Sequence, residues 1–318
     1  MKKLRVGVIG TGVMGQNHLK VYARLGEVEL VGIADSKEEL VSLLSRKYET
    51  EGYTDYQDLL KRNLDIVSIV VPTTLHKEVA LDSLSAGVNI LVEKPLADTI
   101  EAAREIVNEA EKKRLKLLVG HIERFNPAVK RLKEIIEEGI LGEIASISCR
   151  RVGPYTPRTY DTGVILDLGT HDIDIISYLY KEKVREVYAI AGSEFRSFED
   201  HASLMLRFNN GNAGVIEANW LTPHKVRRLS AVGQEGVATL DFLEQKVIIQ
   251  DKQWSREAKV EHEEPLMREI KHFIDVVKND KEPLVSGEDS IHALAVALAA
   301  IRSYQEGRIV KLSEVDNL

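Results

Sequence analysis

Cysteine is almost missing from this chain: Cys149 is the only one in 318 residues. No disulfide can close within one chain and no zinc site can rest on cysteine ligands, so the reducing cytoplasm is the expected location. Long apolar runs are missing too. None approaches the ~18 residues that a membrane span needs. The opening MKKLRVGVIG is broken by glycines and lacks a small-residue cleavage pattern, so it reads as a first strand rather than a signal sequence. Charge of one sign never accumulates: 43 basic and 50 acidic residues are interspersed, for a formal net charge of −7. That balance argues against a charged disordered tail and against non-specific nucleic-acid binding. The nine histidines form neither H-x-x-x-H nor H-E-x-x-H, so no metal is expected. There are no internal repeats and no low-complexity segment.

What is present divides near residue 121. Before it, short apolar runs at Leu4–Ile9, Glu29–Ala34, Ile66–Val71, Val88–Val92 and Lys116–Val119 alternate with helical periods at Asn17–Leu25, Lys37–Lys47, His76–Ala86 and Thr99–Lys113. Continuous apolar strands alternating with helices predict a parallel sheet covered on both faces, an α/β doubly wound domain over residues 1–121. After it, one helix (Pro127–Glu138) precedes period-two runs at Arg185–Ala191, His201–Phe208, Ala213–Leu221, Val226–Val232 and Val237–Phe242. Turn-like NNGN and GQEG connect some of these, which predicts a mainly antiparallel sheet. Two helices, Pro265–Lys278 and Ser286–Tyr304, complete an α+β domain over 122–318.

The first strand runs into Gly10-x-Gly12-x-x-Gly15, with Val13 and Met14 inside the turn. The spacing alone is weak, but a glycine turn between a strand and a helix is the context that dinucleotide binding requires. Gly10 allows the tight turn, Gly12 lets the backbone approach a pyrophosphate, and Gly15 lets helix and strand pack closely. Asp35 ends the second strand, where its carboxylate accepts from ribose hydroxyls and repels a 2′-phosphate, so NAD is favoured over NADP. Pro72, Thr73 and His76 follow the run Ile66–Val71, and Glu93-Lys94-Pro95 follows Val88–Val92, at the strand ends where doubly wound sheets bind ligands. His76 and His18, in helices beside these motifs, also read as structural.

The stretch DTGVILDLGTHDIDII places ionisable groups in an apolar helix. Asp167, His171 and Asp174 are spaced by four and three and share one stripe of a helix, while Asp172 points elsewhere. Residue types alone leave two readings, a solvated helix face or a site. Upstream, RRVGPYTPRTYDTG offers Arg150, Arg151, Tyr155, Arg158 and Tyr160, groups suited to a diphosphate and to a base or sugar. Arg227 and Arg228 face opposite ways on a strand, so at most one of them joins a site. Arg124 and Asn126 sit at the predicted domain junction.

With G-x-G-x-x-G, E-K-P and D-x-x-x-H in this order, the chain resembles the glucose–fructose oxidoreductase, inositol dehydrogenase and MocA family over essentially its whole length. The resemblance includes Arg124-Phe125-Asn126-Pro127 and the late segment EPLVSGEDSIHALAVALAAIRS. It implies a Rossmann domain, an α+β domain whose open sheet makes the oligomer contact, and a homodimer or homotetramer. It also implies NAD-dependent oxidation of a hydroxyl group, with Lys94, Asp167 and His171 as catalytic residues. Gly10, Gly12, Val13, Met14, Gly15, Asp35, Pro72, Thr73, His76, Glu93 and Lys94 would bind cofactor. Lys94, Asn126, Arg151, Tyr155, Arg158, Asp167 and His171 would bind substrate. VGHIERFNP and GVILDLGTHDID are most similar to the nucleotide-sugar branch, notably UDP-N-acetylglucosamine 3-dehydrogenases. Many relatives carry two or three glycines before the Asp, whereas this chain has only Gly163, which counts against the glycosidases and the simple sugar or inositol dehydrogenases. The alternatives are a dehydrogenase of a free sugar or cyclitol, and a non-catalytic dinucleotide sensor.

Overall fold

The computed structural model describes residues 3–155, 162–195 and 197–315. The chain forms two compact units, Met1–Ile122 with Glu264–Ile291, and Glu123–Glu263 with His292–Leu318. The first break falls where the sequence texture changes. The return of 264–291 to the first unit departs from a second domain running over 122–318. Its helix α8 (Pro265–Asn279) buries Leu266, Ile270, Phe273 and Ile274 on one face and packs against α1 (Val13–Tyr22). Helical periodicity specifies that a face is buried, not which unit buries it.

The first unit holds a six-stranded parallel sheet in the order β3-β2-β1-β4-β5-β6. Its strands are β1 (Leu4–Ile9), β2 (Val28–Ala34), β3 (Glu51–Tyr53), β4 (Ile66–Ile69), β5 (Asn89–Glu93) and β6 (Leu117–Gly120). Four helices follow α1: α2 (Glu38–Tyr48), α3 (Tyr56–Leu60), α4 (His76–Ser85) and α5 (Ile100–Lys113). Strand order reverses between β1 and β4, which opens a crevice at their carboxyl ends. The strands are apolar on both faces, and Val6, Val8, Ile66, Val67, Ile69, Ile90, Leu91 and Val92 are all fully buried. β3 and α3 are too short to leave a periodic signal.

The second unit is built on a nine-stranded sheet, β14-β13-β12-β11-β7-β10-β9-β8-β15. Strands β7 (Ile144–Pro154), β8 (Val184–Gly192), β9 (His201–Phe208), β10 (Ala213–Asn219) and β11 (Leu221–Gly233) form its centre. Strands β12 (Val237–Asp241), β13 (Lys246–Gln250) and β14 (Ser255–Ala258) extend one edge, and β15 (Val310–Lys311) ends the other. All neighbours are antiparallel except β7 and β10. β9 shows the cause of the layering: Ala202, Leu204, Leu206 and Phe208 are buried, while Ser203, Met205 and Arg207 point outward. Helices α6 (Pro127–Glu137) and α7 (Thr170–Tyr180) pack on strands of this sheet. The opposite face leaves Ile190, Met205 and Val215 exposed. In the NNGN turn Gly211 has φ +90°, which closes the β9–β10 hairpin. α9 (Gly287–Glu306) spans the boundary between the two units. Among the described residues no helix is long and apolar enough to cross a membrane.

Candidate active site

In the first unit, Gly10 leaves β1 with φ +89°, and a Cβ there would strike the Val70 carbonyl. A Cβ on Gly15 would strike the Gly10 carbonyl, so helix and strand touch backbone to backbone. Gly12 caps α1 and differs from both: nothing lies within 4 Å of where its Cβ would be. The helix has no side-chain cap and no acid in its first turn. The amides of Val13, Met14 and Gly15 are therefore the unfilled donors of a helix N-terminus, which suit a phosphate. Asp35 fixes the turn from the end of β2. Its Oδ2 accepts from the Thr11 amide (2.7 Å) and hydroxyl (2.9 Å), and its Oδ1 accepts from the Lys37 amide at 3.0 Å. Gly10, Gly12, Asp35, Val70, Val71 and Pro72 line a cavity of about 540 Å³, whose wall also includes Tyr56 and Leu75. The space above Gly12, the uncapped helix and the acid at the rim fit a dinucleotide. Tyr56 and Leu75 are cavity residues that no motif announced.

Lys94 follows β5, half-buried and joined to Pro95 by a cis peptide. Glu93 Oε1 lies 2.9 Å from His18 Nε2, and His18 Nδ1 lies 3.2 Å from Ser68 Oγ. His76 is buried and does not line the cavity. Its Nδ1 is 2.9 Å from the Pro95 carbonyl oxygen and its Nε2 2.9 Å from that of Val71. Burial lowers its pKa, against the two carbonyls, which favour the protonated ring. Thr73 opens a short 3-10 turn, Thr73–Leu75, ahead of α4.

In the second unit the acid-rich stretch is not one regular helix. Ile165–Gly169 forms a π-helical turn, and α7 begins at Thr170. The Thr170 hydroxyl donates to the Leu166 carbonyl at 2.7 Å. Glu199 accepts from the Ile165 amide at 3.2 Å and so caps the turn. A Cβ on Gly163 would strike that same carboxylate, so any other residue there would displace the cap. Asp167 thus sits on a widened turn, the form in which π-helix usually occurs at functional sites.

The three acids and one histidine between Asp167 and Asp174 separate into two kinds. Asp172 and Asp174 are each 1% exposed and each held by an arginine. Arg124 donates from Nε (2.9 Å) and Nη2 (2.6 Å) to Asp174. Arg151 donates from Nε (3.0 Å) and Nη2 (2.9 Å) to Asp172, and from Nη1 to Glu123 at 2.8 Å. Burial would lower the Arg151 pKa, but Asp172 and then Glu123 outweigh it and raise it. Asp167 and His171 remain only half-buried.

This placement corrects two expectations about the substrate. Arg151 is 1% exposed with its guanidinium committed to two carboxylates, so it is a core residue and not a diphosphate ligand. Asn126 is equally buried: its Oδ1 accepts from the Ala128 amide (3.0 Å) as the cap of α6, and its Nδ2 donates to the Phe242 carbonyl (3.1 Å). Tyr155 packs edge-on against Trp220, ring centroids 5.9 Å apart. Arg158 and Tyr160 lie outside the described residues. Arg227 and Arg228 do face opposite ways. Arg228 pairs with Asp241 at 3.2 Å, while Arg227 approaches Glu123 at 3.6 Å and shares a field with Asp167. Among the described residues no group of three or more potential metal ligands comes together.

Comparison with known proteins agrees with this arrangement. Residues 4–121 match the model of the Gfo/Idh/MocA oxidoreductase family, NAD-binding Rossmann fold, and residues 129–239 match the Gfo/Idh/MocA C-terminal domain. The chain is 31% identical to a myo-inositol 2-dehydrogenase of Thermotoga maritima, over 98% of this chain and 99% of that one. It is also 31% identical to a UDP-N-acetylglucosamine 3-dehydrogenase of Acidithiobacillus ferrooxidans, over 76% of this chain and 75% of that one. A structure of the Acidithiobacillus enzyme superposes with a TM-score of 0.89 at 28% identity, covering 96% of this chain and 99% of that one.

Proposed function

The chain belongs to the Gfo/Idh/MocA oxidoreductases, NAD-binding enzymes that act on hydroxyl groups, and on that premise we propose that its substrate is a nucleotide sugar such as UDP-N-acetylglucosamine, oxidised at C3. The bound nicotinamide supplies the hydride acceptor. The amides of Val13, Met14 and Gly15 hold the cofactor's pyrophosphate, and Asp35 accepts from the adenosine ribose and disfavours a 2′-phosphate. His171 takes the hydroxyl proton, because an imidazole titrates near neutral pH. Lys94, as an ammonium, stabilises the alkoxide that forms, and Asp167 orients the sugar.

One observation carries the acid–base assignment. Of the acids and the histidine on α7 and its leading turn, Asp172 and Asp174 are fully buried against arginines, whereas Asp167 and His171 are half-buried and within reach of a ligand from solvent. A catalytically silent sensor has no need of that pair together with Lys94. The nucleotide-sugar assignment is supported by the likeness of VGHIERFNP and GVILDLGTHDID to that branch and by the fold match to the Acidithiobacillus enzyme. A cyclitol is the second reading, favoured by 31% identity to the Thermotoga myo-inositol 2-dehydrogenase over 98% of this chain. The exposed row Ile190, Met205 and Val215 on the open sheet supports a homodimer or homotetramer.

The test is NADH formation from NAD with UDP-N-acetylglucosamine, UDP-glucose or myo-inositol. NADH with the N-acetylated nucleotide sugar alone supports the assignment. NADH with myo-inositol alone replaces it with the cyclitol reading.

A further inference from the structure

Lys94 lies between two residues that are each held by a buried imidazole. On one side is Glu93. Tyr22 Oη lies 2.8 Å from Ser68 Oγ, Ser68 Oγ 3.2 Å from His18 Nδ1, and His18 Nε2 2.9 Å from Glu93 Oε1. A carboxylate only accepts, so His18 Nε2–H donates to Glu93. Ser68 and His18 are fully buried, so this row resembles a nucleophilic triad only on paper, since no substrate can reach it. Room for the carboxylate comes from Gly120 on the next strand, where a Cβ would lie 3.0 Å from Glu93 Oε2. On the other side is Pro95. Its carbonyl faces His76 Nδ1, and His76 Nε2 faces Val71, so one ring bridges the segments that leave β4 and β5.

We propose that His18 and His76 are positioning residues for Lys94: each fixes one of its two chain neighbours, so that the lysine backbone cannot drift and the ammonium returns to one place. The inference rests on the reading of Lys94 as a catalytic residue. A lysine side chain has four rotatable bonds and defines a point in space only if its backbone is fixed. A displacement of about 1 Å at a catalytic group can cost ~10²-fold in rate, which is reason enough for two clamps.

Amide side chains separate the two ring nitrogens of each histidine. Glutamine places its nitrogen near the Nε2 position of a histidine, and asparagine near Nδ1. In His18→Gln the donor to Glu93 survives, and in His18→Asn it is lost. In His76→Asn the group facing Pro95 survives, and in His76→Gln only the one facing Val71 does. The expected kcat falls by roughly 10 to 10²-fold in His18→Asn and His76→Gln, and by much less in His18→Gln and His76→Asn. NADH affinity, followed by fluorescence, is read beside the rate in all four, so that kcat is compared at saturating cofactor. A merely structural role would make the loss follow thermal stability rather than this crossed pattern.

A second readout needs no substrate. Lysines are 13C-methylated with NADH bound, and the Lys94 resonance is identified by its loss in Lys94→Arg. That resonance should move in His18→Asn and His76→Gln and stay in the other two. Equal shifts, or none, in all four variants overturn the proposal. If no substrate of the assay above is oxidised, the functional reading fails while the resonance still decides the clamp.

Discussion

Gly10, Gly12 and Gly15 of the first unit work by lacking side chains, whereas Arg124, Arg151, Asp172 and Asp174 of the second work by pairing them. In the first unit the candidate cofactor site is backbone: a left-handed turn, a close helix–strand contact and an uncapped helix start. In the second, charges are drawn inside and neutralised in pairs. The difference has a physical reason. A pyrophosphate is the same in every dinucleotide, and a fixed array of amides suits it. Acid–base chemistry needs individual groups at chosen protonation states. Carboxylates beside such a group must be either part of the chemistry or compensated by a partner.

The contrast can be broken from the second unit first. His171→Asn should lower kcat by ~10²–10⁴, the range for a positioned acid–base group, with NADH affinity intact. Steady-state rates beside fluorescence titration check this, and an unaltered kcat removes His171 from the mechanism. Next comes Arg151→Met, which removes the guanidinium bound to Asp172 and leaves Glu123 only Arg227, at 3.6 Å. It should cost about 3–5 kcal/mol in urea unfolding, because one partner of a buried ion pair is left uncompensated. A loss limited to substrate affinity, with stability kept, would return Arg151 to the substrate side.

Gly12→Ala sharpens the comparison from the first unit. The added methyl meets no protein atom, so stability should hold within about 0.5 kcal/mol while NAD affinity drops. Equal loss of both would mean that Gly12 is needed by the fold and not by the ligand. The smallest effect concerns Glu269, fully buried on α8 with no hydrogen-bond partner for either carboxyl oxygen among the described residues. Burial, and then the charge of Glu93, push its pKa well above the ordinary carboxylate range. Below the ordinary value the group is neutral in both folded and unfolded chains. As pH rises above it, only the unfolded chain ionises freely, so the folded state loses stability. Glu269→Met should therefore stabilise by about 1–3 kcal/mol, and more at pH 8 than at pH 5. Thermal melts at the two pH values test the sign, and a gap that narrows with pH contradicts it.

Much of this was readable in advance, and unevenly. The glycine turn, E-K-P, the β9 strand and its Asn-Gly hairpin are local patterns, and the parallel sheet follows from alternating strands and helices. Arg151 was misjudged because its partners Glu123 and Asp172 are 28 and 21 positions away. A signal did exist: on β7 it shares the inward parity of Ile147 and Cys149. No such signal marks the π-helical turn at Ile165–Gly169, whose Glu199 cap comes from a distant loop. β14, with the sequence SREA and no apolar face, leaves nothing for a periodicity to find. Sequence reads His18 as structural and His76 both as structural and as a cofactor residue, and the groups they face, Glu93, Pro95 and Val71, could not be named from spacing.

The late return of the chain to its first unit also bears on how the protein is made. The ribosome releases β1 to β6 more than a hundred residues before Pro265–Asn279 is synthesised. Until then α1 lacks the helix that packs on it, and the cofactor-binding unit is a nascent intermediate with an unfinished surface. Domains that complete only after a long insertion present apolar surface for that whole interval. A message truncated before codon 264 should therefore yield a product retained by chaperones or aggregated, not a free-standing nucleotide-binding domain.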